Sequence, residues 1–311
     1  MKFAFVFPGQ GSQSVGMLAD FYTDFPVVKA TFDEAADALG YDLWDLVANG
    51  PAEKLNQTEY TQPAVLTAGV AMYRAFTESC NLKPALMAGH SLGEYAALVC
   101  AGAMSLADGV KLVAERGRLM QQAVPEGKGA MAAILGLEDD VIVDICAKAS
   151  ANGVVQAVNF NSPGQVVIAG ETDAVNVAIE LAKEAKAKRA LPLPVSVPSH
   201  SSLMKDAADK LAVKLAEIDS CMPVMPVYHN VTAKPTDSVE AMNAVLKEQL
   251  FNPVLWVDTV NNLIADGIEV TVECGPGKVL SGLNKRINKA VPSLALVSPE
   301  GMLKVIEELS N

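Results

Sequence analysis

The chain opens on five apolar residues, Phe3-Ala4-Phe5-Val6-Phe7, that run without a polar break into the turn Pro8-Gly9-Gln10-Gly11. A strand with no polar face has to be covered on both sides, which is the situation of a parallel sheet packed between helices. The residues that follow keep to that pattern. Apolar residues recur at helical spacing in Val27–Leu39 and Pro63–Cys80, Leu86-Met87-Ala88 reads as a short strand, and Leu92–Cys100 reads as a helix. Ser105-Leu106-Ala107-Asp108 resembles a capping box, with a helix running from it to Ala123.

Beyond Ala123 the order changes. Ala130–Leu135 reads as a strand, Glu138–Ala149 as a helix and Val154–Phe160 as a strand. The turn Asn161-Ser162-Pro163-Gly164 leads to the strand Gln165–Gly170, the helix Asp173–Lys188 and the strand Ala190–Val195. The sequence β-α-β-β-α-β is the split βαβ or ferredoxin-like unit. It is bounded by Glu126-Gly127-Lys128-Gly129 and by the proline-rich stretch from Pro192 to Pro198. The first pattern then resumes with helices at Ser202–Ile218, Val239–Gln249 and Leu255–Asp266, a strand at Ile268–Cys274 and a closing helix at Met302–Leu309. The expected fold is α/β: a hydrolase-like parallel-sheet large domain, residues 1–125 and 197–311, interrupted by an inserted ferredoxin-like small domain at 126–196.

Composition narrows the partners. With 24 basic and 36 acidic residues the net charge is −12, so non-specific attraction to nucleic acid or to an anionic membrane is not expected. No stretch approaches the roughly 18 apolar residues of a membrane span, and Phe3–Phe7 is too short for a signal sequence. Five cysteines without a Cys-x-x-Cys pair, and only three histidines, argue for buried thiols and against a zinc site. A cytoplasmic protein without a bound metal is the expectation.

Gly89-His90-Ser91-Leu92-Gly93 matches Gly-x-Ser-x-Gly between a strand and a helix. A serine on so sharp a turn is held exposed, and the helix start offers unpaired N–H groups to an oxyanion. The same serine could simply cap its helix. A hydroxyl nucleophile needs a base, and the choice is short. His90 adjoins Ser91 and should point elsewhere, His229 sits at a strand end, and His200 follows the exit from the insert, on a seam where pockets form. His200 is the preferred base, although a structural histidine at a helix start fits the position too. An ordinary α/β-hydrolase would place its acid and histidine later in the chain, and Asp108-Gly109 and Asp266-Gly267 do not fit a Ser–Asp lipase well.

The turn after the first strand fails as a dinucleotide motif, because Ser14 stands where the third glycine belongs, and no Walker lysine follows Gly16. It suits a backbone N–H, that of Gln10, presented to a substrate carbonyl, or a plain turn. Arg116, mid-helix among apolar neighbours, could pair with a substrate carboxylate or with an acid of its own chain. The basic clusters Lys183, Lys186, Lys188, Arg189 and Lys278, Lys285, Arg286, Lys289 read as solvated helix faces.

Taken in order, Phe7-Pro-Gly-Gln-Gly-Ser-Gln13, Gly89-His-Ser-Leu-Gly-Glu-Tyr95, Arg116-Gly117, Asn161-Ser-Pro-Gly-Gln165, Pro198-Ser-His200, Gln249 through Trp256, and Glu273-Cys-Gly-Pro-Gly277 resemble the bacterial malonyl-CoA:acyl carrier protein transacylases over nearly the whole chain. The resemblance implies the same two-domain fold and a ping-pong transfer of malonyl from CoA to the phosphopantetheine thiol of holo acyl carrier protein, in fatty acid biosynthesis. It implies Ser91 as nucleophile, His200 as base, the N–H groups of Gln10 and Leu92 as oxyanion hole, and Arg116 as the clamp on the malonyl carboxylate. Gln249 belongs to the substrate site, with a carbonyl near it orienting the histidine in place of an acid. No cofactor is implied, since CoA and phosphopantetheine enter with the substrates, and a monomer is expected. Ser199 is similar to the fatty-acid enzymes; a polyketide-type acyltransferase with other acyl specificity, and a serine hydrolase or thioesterase on the same elbow, are the alternatives. An acidic carrier protein meeting an acidic enzyme needs a local positive patch, for which Arg189, Lys285 and Arg286 are the candidates.

Overall fold

The computed structural model describes residues 1–195 and 197–311; residue 196, where the sequence places the end of the insert, lies outside them. Two sheets organise the described residues. The larger is parallel throughout and takes β1 (Phe3–Phe7), β2 (Leu86–Gly89), β7 (Val227–Tyr228), β8 (Val270–Glu273) and β9 (Ser293–Ala295) in the order β7-β2-β1-β8-β9. The central β1 is buried along its whole length. Its alternate residues enter different cores: Phe3, Phe5 and Phe7 pack with Phe76 and the helices of one side, and Ala4 and Val6 pack with Trp256, Val260 and Leu280 on the other. Phe5 meets Phe76 edge to face with centroids 5.0 Å apart.

The smaller sheet takes β3 (Gly129–Leu135), β4 (Val155–Ser162), β5 (Gln165–Glu171) and β6 (Arg189–Pro192), all antiparallel, in the order β4-β5-β3-β6. This is the ferredoxin-like arrangement, with the first and third strands of the unit at the centre. Helices Asp139–Ala149 and Thr172–Glu184 cover one face through Ala132, Ile134, Val166 and Ile168. The other face carries Met131, Val158, Val167 and Ala169. The insert is tied to the rest of the chain by its edge strand: Phe160 N–H donates to the Val254 carbonyl at 3.0 Å, and Val254 N–H donates to that of Val158 at 2.8 Å.

Several boundaries differ from the sequence reading. The helix expected from Pro63 begins one turn earlier and spans Thr58–Ser79, with Pro63 inside it, because Thr58, Thr61 and Gln62 are themselves buried. The helix expected to reach Lys188 ends at Glu184. There Lys186 takes a left-handed conformation (φ 65°) and Ala187 N–H donates to the Ala182 carbonyl, a Schellman-type stop with lysine where glycine is usual. Arg189 stands on strand β6 rather than on a helix face. Among the described residues no helix is long and apolar enough to cross a membrane.

Candidate active site

The ends of β1 and β2 meet the start of the Leu92–Cys100 helix at backbone contact. A Cβ on Gly93 would run into the Phe7 carbonyl, and one on Gly89 would run into Gly93. The two glycines let this crossing close. It forces Ser91, between them, to φ 51° and ψ −111°. That conformation is strained for a residue with a Cβ and projects its side chain out of the turn. Asn230, at the end of β7, holds the turn from behind: its Oδ1 accepts the Ser91 N–H at 2.6 Å and its Nδ2 donates to the Gly89 carbonyl at 2.6 Å.

Ser91 Oγ lies 2.8 Å from His200 Nε2. His200 Nδ1 lies 2.6 Å from the Gln249 carbonyl oxygen. A carbonyl can only accept, so Nδ1 carries the proton and Nε2 is left as the acceptor for the serine hydroxyl. His200 is 3% exposed and itself sits at φ 64°, with its N–H donating to the Leu250 carbonyl at 2.9 Å. Burial, then the neighbouring Arg116 charge, push its pKa down to about 3, so the ring is neutral near pH 7.

Arg116 comes from the middle of the Leu106–Ala123 helix, whose N-cap Ser105 accepts from Asp108 N–H as the sequence indicated. Gly117 beside it lets this helix approach the backbone of Thr58 and Glu59, which sets Arg116 next to Gln62. Nη1 donates to Gln62 Oε1 at 2.9 Å, and Nη2 donates to Gln249 Oε1 at 2.9 Å and to Ser91 Oγ at 3.4 Å. The guanidinium is 1% exposed, Nε has no partner, and among the described residues no carboxylate stands within ion-pair distance. A buried cation in that condition is set for an anion from outside.

A cavity of about 260 Å³ opens in front of these groups. Its walls are the Pro8–Ser12 turn, the elbow, Arg116, His200, the open face of the insert at Met131, Val167 and Leu193, and the start of the Val279–Ile287 helix. Gln10 and Leu92 both line it, and neither backbone N–H makes a hydrogen bond among the described residues. Leu92 opens its helix and so has no carbonyl four residues back to reach.

Gln249 is placed differently from a substrate contact. It is not among the residues lining the cavity, because all of its polar atoms are engaged inside the protein: Nε2 donates to the Ser91 carbonyl and to Glu94 Oε2, and Oε1 accepts from Arg116. It positions other groups. His90 turns away from Ser91, its Nε2 2.7 Å from Asn161 Oδ1 on β4, and His229 is buried against Glu94 at 2.7 Å. Arg189, Lys285 and Arg286 are exposed. Arg286 donates to Gln165 Oε1 at 2.7 Å, and Gln165 and Arg189 both stand opposite Leu135, so the two arginines flank one end of the insert sheet. The sequence reading left out Glu94, Asn230 and Gln62. Glu94 carries a signal that was available, a single charge in the otherwise apolar helix Leu92-Gly-Glu-Tyr-Ala-Ala-Leu-Val99. Among the described residues no three His, Cys, Asp or Glu side chains gather in a way that could hold a metal ion.

The model of the acyl transferase domain family matches residues 4–298. The malonyl CoA-acyl carrier protein transacylase of Escherichia coli (strain K12) is 57% identical over 306 residues, covering 98% of this chain and 99% of that protein. The solved malonyl CoA-acyl carrier protein transacylase of Coxiella burnetii superposes with a TM-score of 0.99 at 49% identity, over 100% of this chain and 98% of that one. A malonyl-transacylase solved with a type II PKS acyl-carrier protein in holo form gives 0.98 at 53% identity, over 99% of this chain and 100% of that one. The overall fold is thus shared with these transacylases, and the chain belongs to the acyl transferase domain family.

Proposed function

We propose that this chain transfers malonyl from CoA to the phosphopantetheine thiol of holo acyl carrier protein through a malonyl-serine intermediate, for fatty acid biosynthesis. The observation that carries the reading is the buried guanidinium of Arg116, without a carboxylate partner among the described residues and 3.4 Å from Ser91 Oγ. Only an acyl group that ends in its own carboxylate completes it.

The Ser91 hydroxyl gives its proton to His200 Nε2 as Oγ attacks the thioester carbonyl. The oxyanion of the tetrahedral intermediate takes the N–H groups of Gln10 and Leu92, donors of a kind typically worth about 3 kcal/mol each in the barrier. Collapse breaks the C–S bond, and His200 returns its proton to the departing sulfur of CoA. The carrier's thiol then gives its proton to the same nitrogen and attacks the ester, and Ser91 recovers its hydrogen as the malonyl thioester leaves. Arg116 holds the malonyl carboxylate through both halves. Gln249 acts from behind, its carbonyl fixing the His200 tautomer and its amide oxygen fixing Arg116.

The insert of residues 126–196 supplies the apolar wall over the thioester and, with the Val279–Ile287 helix, the carrier's landing site at Arg189, Lys285 and Arg286. The enzyme works in the cytoplasm as a monomer, without a cofactor of its own. Incubation with malonyl-CoA and holo carrier protein, followed by intact mass of both proteins, tests the reading. Malonyl should appear first on the enzyme at Ser91 and then on the carrier; release of free malonate with no carrier product would make the protein a hydrolase instead.

A further inference from the structure

Behind the elbow lies a carboxylate that the transfer steps do not use. Glu94, in the first turn of the Leu92–Cys100 helix, is 1% exposed. Its Oε1 is 2.7 Å from His229 Nδ1, and its Oε2 accepts from Asn230 N–H at 2.9 Å and from Gln249 Nε2 at 2.9 Å. No lysine or arginine is paired with it among the described residues. A buried carboxylate without a lysine or arginine beside it is costly unless its oxygens are satisfied, and three converging donors are what keep it in place.

The consequence reaches Gln249. A primary amide can be turned over, and its two ends differ only in which one donates. Facing the Glu94 Oε2 and the Ser91 carbonyl, both acceptors, the NH₂ end is the one that fits, so Oε1 points the other way, where it receives Arg116 Nη2. The same side chain donates to the Ser91 carbonyl at 3.0 Å, and its backbone carbonyl takes His200 Nδ1. Asn230, whose backbone N–H donates to the same Glu94 Oε2, holds the elbow through Ser91 N–H and the Gly89 carbonyl.

We propose that Glu94 is a positioning residue for acyl selection: its carboxylate fixes the orientation of the Gln249 amide, and through it the aim of Arg116. The inference rests on the malonyl-transfer reading above. Without the Glu94 carboxylate the Gln249 NH₂ is held by the Ser91 carbonyl alone, so the amide swings more freely and Arg116 loses the fixed place of an acceptor that defines its direction.

The test is acylation of Ser91 by malonyl-CoA and acetyl-CoA, followed by rapid quench and intact mass, in wild type, Glu94→Gln, Arg116→Ala and the double variant, each checked for a cooperative melt. Wild type that discriminates between the two donors secures the underlying reading; wild type that does not sinks that reading before Glu94 is addressed. Glu94→Gln, close in volume, should lower the malonyl-to-acetyl ratio of kcat/KM about tenfold, the factor of one net hydrogen bond. In the Arg116→Ala background it should change that ratio no further, because both residues act on the same contact. A Glu94→Gln enzyme that slows both donors equally, or one that lowers the ratio additively with Arg116→Ala, overturns the proposal. Where Glu94→Gln fails to melt cooperatively, Glu94→Asp replaces it: the shorter side chain withdraws from Gln249 while keeping the buried charge, and an unchanged ratio in that variant is equally fatal.

Discussion

Replacing Arg116 with alanine should convert a malonyl-selective acyltransferase into one that barely distinguishes malonyl from acetyl. The magnitude follows from what the guanidinium has left to give. It carries five N–H donors, and its hydrogen bonds among the described residues run to Gln62, Gln249 and the nucleophile. A malonyl carboxylate that takes the free Nη1–H and the Nη2–H that points at Ser91 Oγ from 3.4 Å gains two charge-assisted hydrogen bonds of about 1.5–3 kcal/mol each. Together these contribute about 3–6 kcal/mol, or about 10²–10⁴ in kcat/KM relative to acetyl, which has nothing to place there. Removing the guanidinium also deprives Gln249 of its partner, but that loss strikes both donors and cancels in their ratio. Rapid-quench acylation of Ser91 with each donor, read by intact mass, should therefore show the malonyl-to-acetyl ratio fall to within about tenfold of unity in Arg116→Ala. Arg116→Lys, which keeps the charge and loses the fork, should fall between. A wild-type ratio in Arg116→Ala would refute the clamp and leave the buried cation without a function.

Two further outcomes test the frame and the approach of the partner. Gly93→Ala drives a Cβ into the Phe7 carbonyl and to 2.9 Å from that of Pro8, so it should destabilise by about 3 kcal/mol or more and abolish acylation together. Gly282→Ala, where a Cβ meets nothing within 4 Å, should be neutral or stabilising in the same thermal melt, and equal losses in the two variants would contradict the account of the elbow. Charge reversal at Arg189, Lys285 and Arg286 together should raise the apparent KM for holo carrier protein about tenfold or more and leave Ser91 malonylation from CoA unchanged. An equal response of both half-reactions would assign those residues to the CoA phosphates.

How much of this was written locally in the sequence differs from residue to residue. Ser91 was legible because the strand, the two glycines and the helix that strain it are contiguous, and the backbone crossing they form follows from their order. His200 was narrowed by elimination among three histidines, and its partner, the carbonyl of Gln249, is invisible to any reading of side-chain types. The end of the Thr172–Glu184 helix was hidden because Lys186 occupies the left-handed stop that usually announces itself as glycine. The Val279–Ile287 helix contains Ser281-Gly282, poor helix formers. Its start is satisfied by the Glu273 carboxylate, which accepts from Leu280 and Ser281 N–H across a turn of the chain. Glu94 stood out only as a lone charge in an apolar helix, and Asn230 not at all, since their partnership exists only once β7 pairs beside β2 and brings residues about 140 positions apart into contact.

The site without substrate is electrically incomplete, and that ties selectivity to base strength. The positive Arg116 is one of the causes that hold His200 down at about 3, second only to burial. A malonyl carboxylate on Arg116 cancels that charge, so the histidine's pKa rises and it becomes the stronger base when the right acyl group is present. The carboxylate itself stays ionised beside the guanidinium. An acetyl group changes nothing at Arg116 and leaves the base as weak as in the free enzyme. The sign for the pH profile follows: His200 is active when neutral, so the rate is lost as pH falls through its pKa, and that loss should begin at a higher pH for malonyl than for acetyl in single-turnover acylation at saturating donor. The free-enzyme limb, seen in kcat/KM, should lie lower and be the same for both. Superimposable profiles for the two donors at saturation would mean that Arg116 and His200 are electrostatically independent, and acyl selection would then reside in contact alone.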